Sequence, residues 1–80
     1  MPQANWQNPV HVAFKNFGPE VINGPSEALV LLTDRWPDLR GLDFVKARSC
    51  CRAALDGRRT PEEARQLFER AVNEAKLHLN

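Results

Sequence analysis

Pro9-Val10-His11-Val12-Ala13-Phe14-Lys15 is the stretch on which the fold turns. Val10, Val12 and Phe14 fall on one side of an extended chain, with His11, Ala13 and Lys15 on the other. That two-residue alternation is the signature of a strand buried on one face. Asn16-Phe17-Gly18-Pro19 follows with turn-forming residues. Residues 20–23 then offer a shorter second strand, in which Val21 and Ile22 are β-branched. Together they predict an antiparallel hairpin with a loop of about four residues.

Beyond the hairpin the pattern changes to helices. Pro25 suits the first position of a helix, where its missing N–H would be unsatisfied in any case. That helix is expected to reach Arg35 or Trp36, because Pro37 disfavours helical geometry at the residue before it. Gly41 is read as the cap of a second helix over residues 42 to about 56, with Gly57 as its left-handed stop. Thr60-Pro61-Glu62-Glu63 is the strongest local signal. Thr60 caps a third helix over residues 61 to about 77, Pro61 takes its first position, and Glu63 completes a capping box. The order β-β-α-α-α predicts an α+β fold, two-layer, with an N-terminal β-hairpin packed against three helices. A lone hairpin is marginal unless helices cover one face, and the third helix is the expected cover.

A helix turns about 100° per residue, so the buried faces can be read off. In the third helix Ala64, Leu67, Phe68, Ala71, Val72, Ala75 and Leu79 share an arc about 140° wide. In the second, Phe44, Ala47, Cys51, Ala54 and Leu55 form an arc about 100° wide, with Cys50 just off its edge. In the first, Ala28, Leu29, Leu32 and Trp36 make a core stripe, while Val30 and Leu31 fall outside it. Either this helix is covered on two sides within one chain, or Val30 and Leu31 form an apolar surface for a partner. The expected core is Val10, Val12, Phe14, Ile22, Leu29, Leu32, Trp36, Phe44, Cys51, Leu55, Leu67, Phe68, Ala71 and Val72.

Eighty residues suffice for one small domain, since a second would lack the chain to bury its own core. With 42% apolar and 26% charged residues the composition is that of a folded domain, not a disordered one. No apolar run is long enough for a membrane span, and residues 1–10 lack the pattern of a signal peptide. A net charge of +1 argues against a strongly cationic nucleic-acid binder, although local patches are compatible with it. Two adjacent cysteines exclude a disulfide framework and suit reduced thiols in a cytoplasm.

The search for chemistry yields little. His11 lies on the polar face of the first strand and His78 near the C-terminal end. Neither has a partner at metal-ligand spacing. Cys50 and Cys51 diverge by about 100° on a helix, so one tetrahedral metal cannot readily take both. Nor does any phosphate loop, dinucleotide fingerprint or nucleophile elbow occur. No catalytic residue, metal or cofactor is therefore expected. Basic residues do cluster: Arg48 and Arg52 share a helix face, and Arg58 and Arg59 follow at its end. They form a candidate anion or nucleic-acid edge, although cations near a helix C-terminus also complement its dipole.

The order of residues also resembles a known family. Trp6, Pro9-Val10-x-Val12, Glu27-Ala28, Trp36-Pro37, Arg40-Gly41, Phe44, Ala47, Cys51, Ala54-Leu55-x-Gly57 and Pro61-Glu62-x-Ala64-Arg65 run in sequence. This is similar to domain-of-unknown-function family 982, a small uncharacterised family of rhizobial and related α-proteobacterial proteins. Leu42 stands where the family pattern has proline, and Phe44 where it has tyrosine. The resemblance implies a cytosolic α+β domain of this size. It brings no activity, cofactor or catalytic residue. The functional expectation is a non-enzymatic interaction module, either self-associating as a homodimer through Val30 and Leu31 or binding another protein. The alternative is anion or nucleic-acid binding through Arg48, Arg52, Arg58 and Arg59.

Overall fold

The computed structural model describes the backbone of residues 5–14, 17–36 and 41–79, with side chains except at 14, 17, 18 and 76–79. Strand β1 (Val10–Phe14) pairs antiparallel with β2 (Phe17–Ile22), followed by α1 (Pro25–Val30), α2 (Leu42–Leu55) and α3 (Pro61–Leu79). Val10 stands opposite Ile22, His11 opposite Val21 and Val12 opposite Glu20, but Phe14 faces Phe17. From Val12 to Phe14 is two steps on β1, and from Glu20 to Phe17 is three on β2, so β2 carries one extra residue. This bulge corrects the four-residue loop expected at residues 16–19. Pro19 has no N–H for the ladder, and a bulge is where a strand tolerates that loss. Val10, Val12 and Ile22 are buried on the inner face, as their alternation requires, while His11 and Val21 face out. The side chain of Phe14, also expected inside, lies outside the described residues.

At the start of α1, Pro25 holds the first position and is buried. The Glu27 carboxylate reaches back to accept from the backbone N–H and side-chain amide of Asn23, at 3.1 and 3.3 Å. The helix then loosens into a π-helical segment, Leu31–Arg35, and ends at Trp36 with φ −70° and ψ 142°. That extended conformation is the one a following proline favours. A π turn advances fewer degrees per residue than an α turn, so successive side chains diverge less. Leu31 and Leu32 therefore both face inward, with Ala28 one turn before them. Leu31 is only 2% exposed, against 55% for Val30, which corrects the expectation that the two share a partner surface.

Helix α2 stops as its sequence implies. Gly57 has φ 81°, its N–H donates to the Ala54 carbonyl at 3.1 Å, and the Arg58 N–H donates to the Ala53 carbonyl at 2.9 Å. These two bonds are the Schellman closure, which needs a left-handed residue that glycine supplies without strain. The capping box of α3 is also formed: Glu63 N–H donates to Thr60 Oγ1 at 3.1 Å, and Thr60 N–H donates to Glu63 Oε1 at 3.2 Å.

Between α2, α3 and the hairpin lies a chain of tilted aromatic rings. Trp6 meets Phe68 at 5.8 Å, Phe68 meets Trp36 at 5.9 Å, and Trp36 meets Phe44 at 6.0 Å. Trp6 is held by two hydrogen bonds of 2.7 Å, from its backbone N–H to the Asn23 carbonyl and from its indole N–H to the Pro61 carbonyl. Leu29 and Leu67, also expected inside, are only half-buried against the core, and two further positions differ. Leu55, the last residue of α2, is exposed, because the chain turns away immediately after it. Cys50 is buried instead of bordering the core, because α3 covers that side of α2. Among the described residues no helix is long and apolar enough to cross a membrane.

Candidate interaction surfaces

Two surfaces carry the features that the sequence singles out. The first lies between β2 and α1. Val21 is 48% exposed on the strand and Val30 55% exposed on the helix, and the two flank a shallow groove of about 240 Å³ whose floor includes Ile22 and Leu31. Glu20 and Arg35 form an ion pair beside it. On the described residues the sheet has two strands, so the edge of β2 away from β1 has no partner strand. Backbone donors and acceptors along such an edge form a template for another extended segment.

The second surface is the solvent face of α2. Arg48 and Arg52, one turn apart, line a groove of about 430 Å³ with Phe44, Val45 and Ser49. Arg58 and Arg59 do not extend it as free cations. Arg58 pairs with Asp56 at 3.2 Å, and Arg59 pairs with Glu63 at 3.4 Å. The four-arginine edge read from the sequence is therefore two different things: an open pair on the helix, and two residues already matched to carboxylates.

Cys50 lies in the seam between α2 and α3, beside Glu63 and Leu67, and Cys51 lies deeper in the core. Both cysteines are free and buried. Burial pushes the Cys50 thiol up, the Glu63 carboxylate adds to that, and Arg59 partly offsets it. Deeper burial, with Cys50 beside it, pushes Cys51 up to about 12. A nucleophilic or metal-binding cysteine needs the opposite shift. Among the described residues no group of three or more histidines, cysteines and carboxylates is placed to hold a metal ion. His11 is exposed on β1, and the side chain of His78 lies outside the described residues.

A family model described as "Protein of unknown function (DUF982)" matches residues 8–79. The chain belongs to that family. This DUF982 chain is also similar to the Agrobacterium tumefaciens protein Atu1219, whose structure was solved by NMR. The two are 35% identical, the match covers 91% of this chain and 73% of that one, and the TM-score is 0.75. No curated protein matches.

One residue that organises the DUF982 fold near the second surface escapes sequence reasoning. Glu74 projects from α3 to the start of α2, where its carboxylate accepts from the Asp43 and Phe44 backbone N–H groups, each at 3.3 Å. It occupies the space a side chain on Gly41 would need: a Cβ there would lie 2.6 Å from Glu74 Cδ. Gly41 is thus the capping position, but the capping group is supplied by another helix. A polar residue on a surface helix gives no sequence signal for that role.

Proposed function

We propose that this DUF982 chain is a non-enzymatic protein-interaction module of the bacterial cytoplasm that self-associates through the surface between β2 and α1. The observation that carries this reading is the pair of exposed valines, Val21 and Val30, beside an edge of β2 that has no partner strand among the described residues. An identical strand run antiparallel across a two-fold axis would satisfy that edge, and such a contact closes as a dimer. Burying the exposed half of such a valine contributes about 1 kcal/mol, and the contact would bury two from each copy. Leu31 supports Val30 from beneath and is not itself part of the contact. The raised Cys50 and Cys51 thiols speak against cysteine chemistry, and free thiols suit a reducing compartment.

The test is sedimentation with circular dichroism on the wild type and on Val21→Asp with Val30→Asp. Both positions are exposed, so the variant is expected to keep its fold. A dimeric wild type and a folded, monomeric variant would support the reading. A wild type that stays monomeric at high concentration would end it.

A further inference from the structure

On α2, Leu42, Val45, Ser49 and Arg52 follow one another at steps of three and four residues, a single line along the helix, with Arg48 beside it. Leu42 and Val45 are among the most exposed apolar residues described, at 66% and 56%. Buried Phe44 lines the same groove as Val45 and the two arginines. Some cations of the chain are matched to its own carboxylates and others are not. Arg35, Arg58, Arg59 and Arg65 each hold a carboxylate of this chain. Like Lys46 and Arg70, Arg48 and Arg52 hold none among the described residues. They stand four residues apart on one helix, where like charges repel.

We propose that this face docks an acidic, amphipathic segment of another protein. Two of its carboxylates, one helical turn apart, would pair with Arg48 and Arg52, and an aliphatic side chain would lie on Val45 above Phe44. Guanidinium forks match carboxylates in pairs of parallel hydrogen bonds. Side chains four apart on a helix stand about 5–6 Å from each other at Cβ, so two helices can match such pairs turn for turn. A nucleic acid fits less well. Its phosphates call for a longer cationic track, whereas Arg58 and Arg59 are already matched to Asp56 and Glu63. Its bases call for an exposed ring, whereas Phe44 is 4% exposed. This surface is separate from the one between β2 and α1, so variants at one leave the other intact.

The experiment titrates the ¹⁵N-labelled full chain with three probes. These are a helical peptide carrying two glutamates one turn apart beside a leucine, the same peptide with glutamines, and a single-stranded oligonucleotide. The expected result is saturable shifts of the Val45, Arg48, Ser49 and Arg52 amides with the glutamate peptide. Binding should weaken roughly tenfold or more for the glutamine peptide, and likewise for Arg48→Gln with Arg52→Gln. Arg58→Gln with Arg59→Gln should leave it unchanged. Equal binding of the two peptides, no saturable shift on α2, or preference for the oligonucleotide with all four arginines contributing would each overturn the proposal. Should the Arg48 and Arg52 variant lose its fold, the two peptides on the wild type still decide the matter.

Discussion

The two long helices begin in different ways. α3 opens on a cap made by residues three apart, Thr60 and Glu63, whose side chains and backbone N–H groups satisfy one another. α2 opens on Gly41, with no side-chain bond from its own capping residue, and two of its first N–H groups, on Asp43 and Phe44, are satisfied by Glu74 of α3. A local cap favours its helix before anything else has folded. A cap lent by another helix exists only once the two helices are packed, so it fastens α2 to α3 as well as closing its end.

Breaking the borrowed cap is expected to have the largest effect. Glu74→Ala leaves two N–H groups at the start of α2 without their acceptor and should cost about 2 kcal/mol. Gly41→Ala should cost a similar amount, although such a change elsewhere often stabilises by about 0.4–1 kcal/mol, because the new Cβ displaces the carboxylate. The double variant is expected to be no less stable than the worse single one, since both remove one interaction. Denaturant midpoints for the three variants measure this, and strictly additive losses would show that Gly41 and Glu74 act separately.

Thr60→Ala, at the local cap, should cost about 1 kcal/mol, or about 4–8 °C in Tm for a domain of this size. The Thr60 backbone N–H and hydroxyl hold the Glu63 carboxyl below its usual range. A depressed carboxylate contributes stability above its unfolded value and loses it as pH falls through the folded one. The gap between wild type and Thr60→Ala should therefore narrow in acid, below about pH 4. A gap independent of pH would mean that the Thr60 hydroxyl does not distinguish ionised from protonated Glu63, since the backbone N–H is present in both proteins.

The smallest effect belongs to the two thiols of α2, away from either helix start. Unfolded Cys51 ionises near its ordinary value, whereas the folded thiol resists up to about 12. A raised thiol contributes its full stability below the unfolded value and loses it as pH rises toward the folded one. Between pH 9 and 10 the wild type should lose at most about 1 kcal/mol that Cys51→Ala does not. Thiol reagents should also modify Cys50, which borders a groove, well before Cys51. Equal alkaline slopes, or equal labelling rates, would show that the two thiols are not held as described.

What the sequence revealed divides along the same line. The inner face of the hairpin, the Thr60–Glu63 cap and the Gly57 stop each rest on residues close together in the chain, and all were legible. Leu31 was not, because a fixed step of 100° per residue carries no knowledge of the π turn that brings it inward. Cys50 was placed at an edge because the position of α3 over α2 is a tertiary fact. Trp6 stands alone, with no periodic neighbours to announce that it is buried. The candidate surfaces follow suit. Val30 was readable as lying off the core stripe of its helix, but so was Leu31, so its exposure was not. Which arginines remain open depends on Asp56 and Glu63, whose choice of partner is settled only by the turn between α2 and α3.

The hydrogen bond from the Trp6 indole to Pro61 joins positions fifty-five residues apart. In an unfolded chain, closing a loop of that length costs about 3–4 kcal/mol in entropy, more than a single hydrogen bond returns. The tie therefore gains its strength only after the hairpin and helices have shortened the path between its ends. On that argument it is expected to close as a latch after the rest, and a late contact of this kind governs how slowly the finished structure opens more than how quickly it forms.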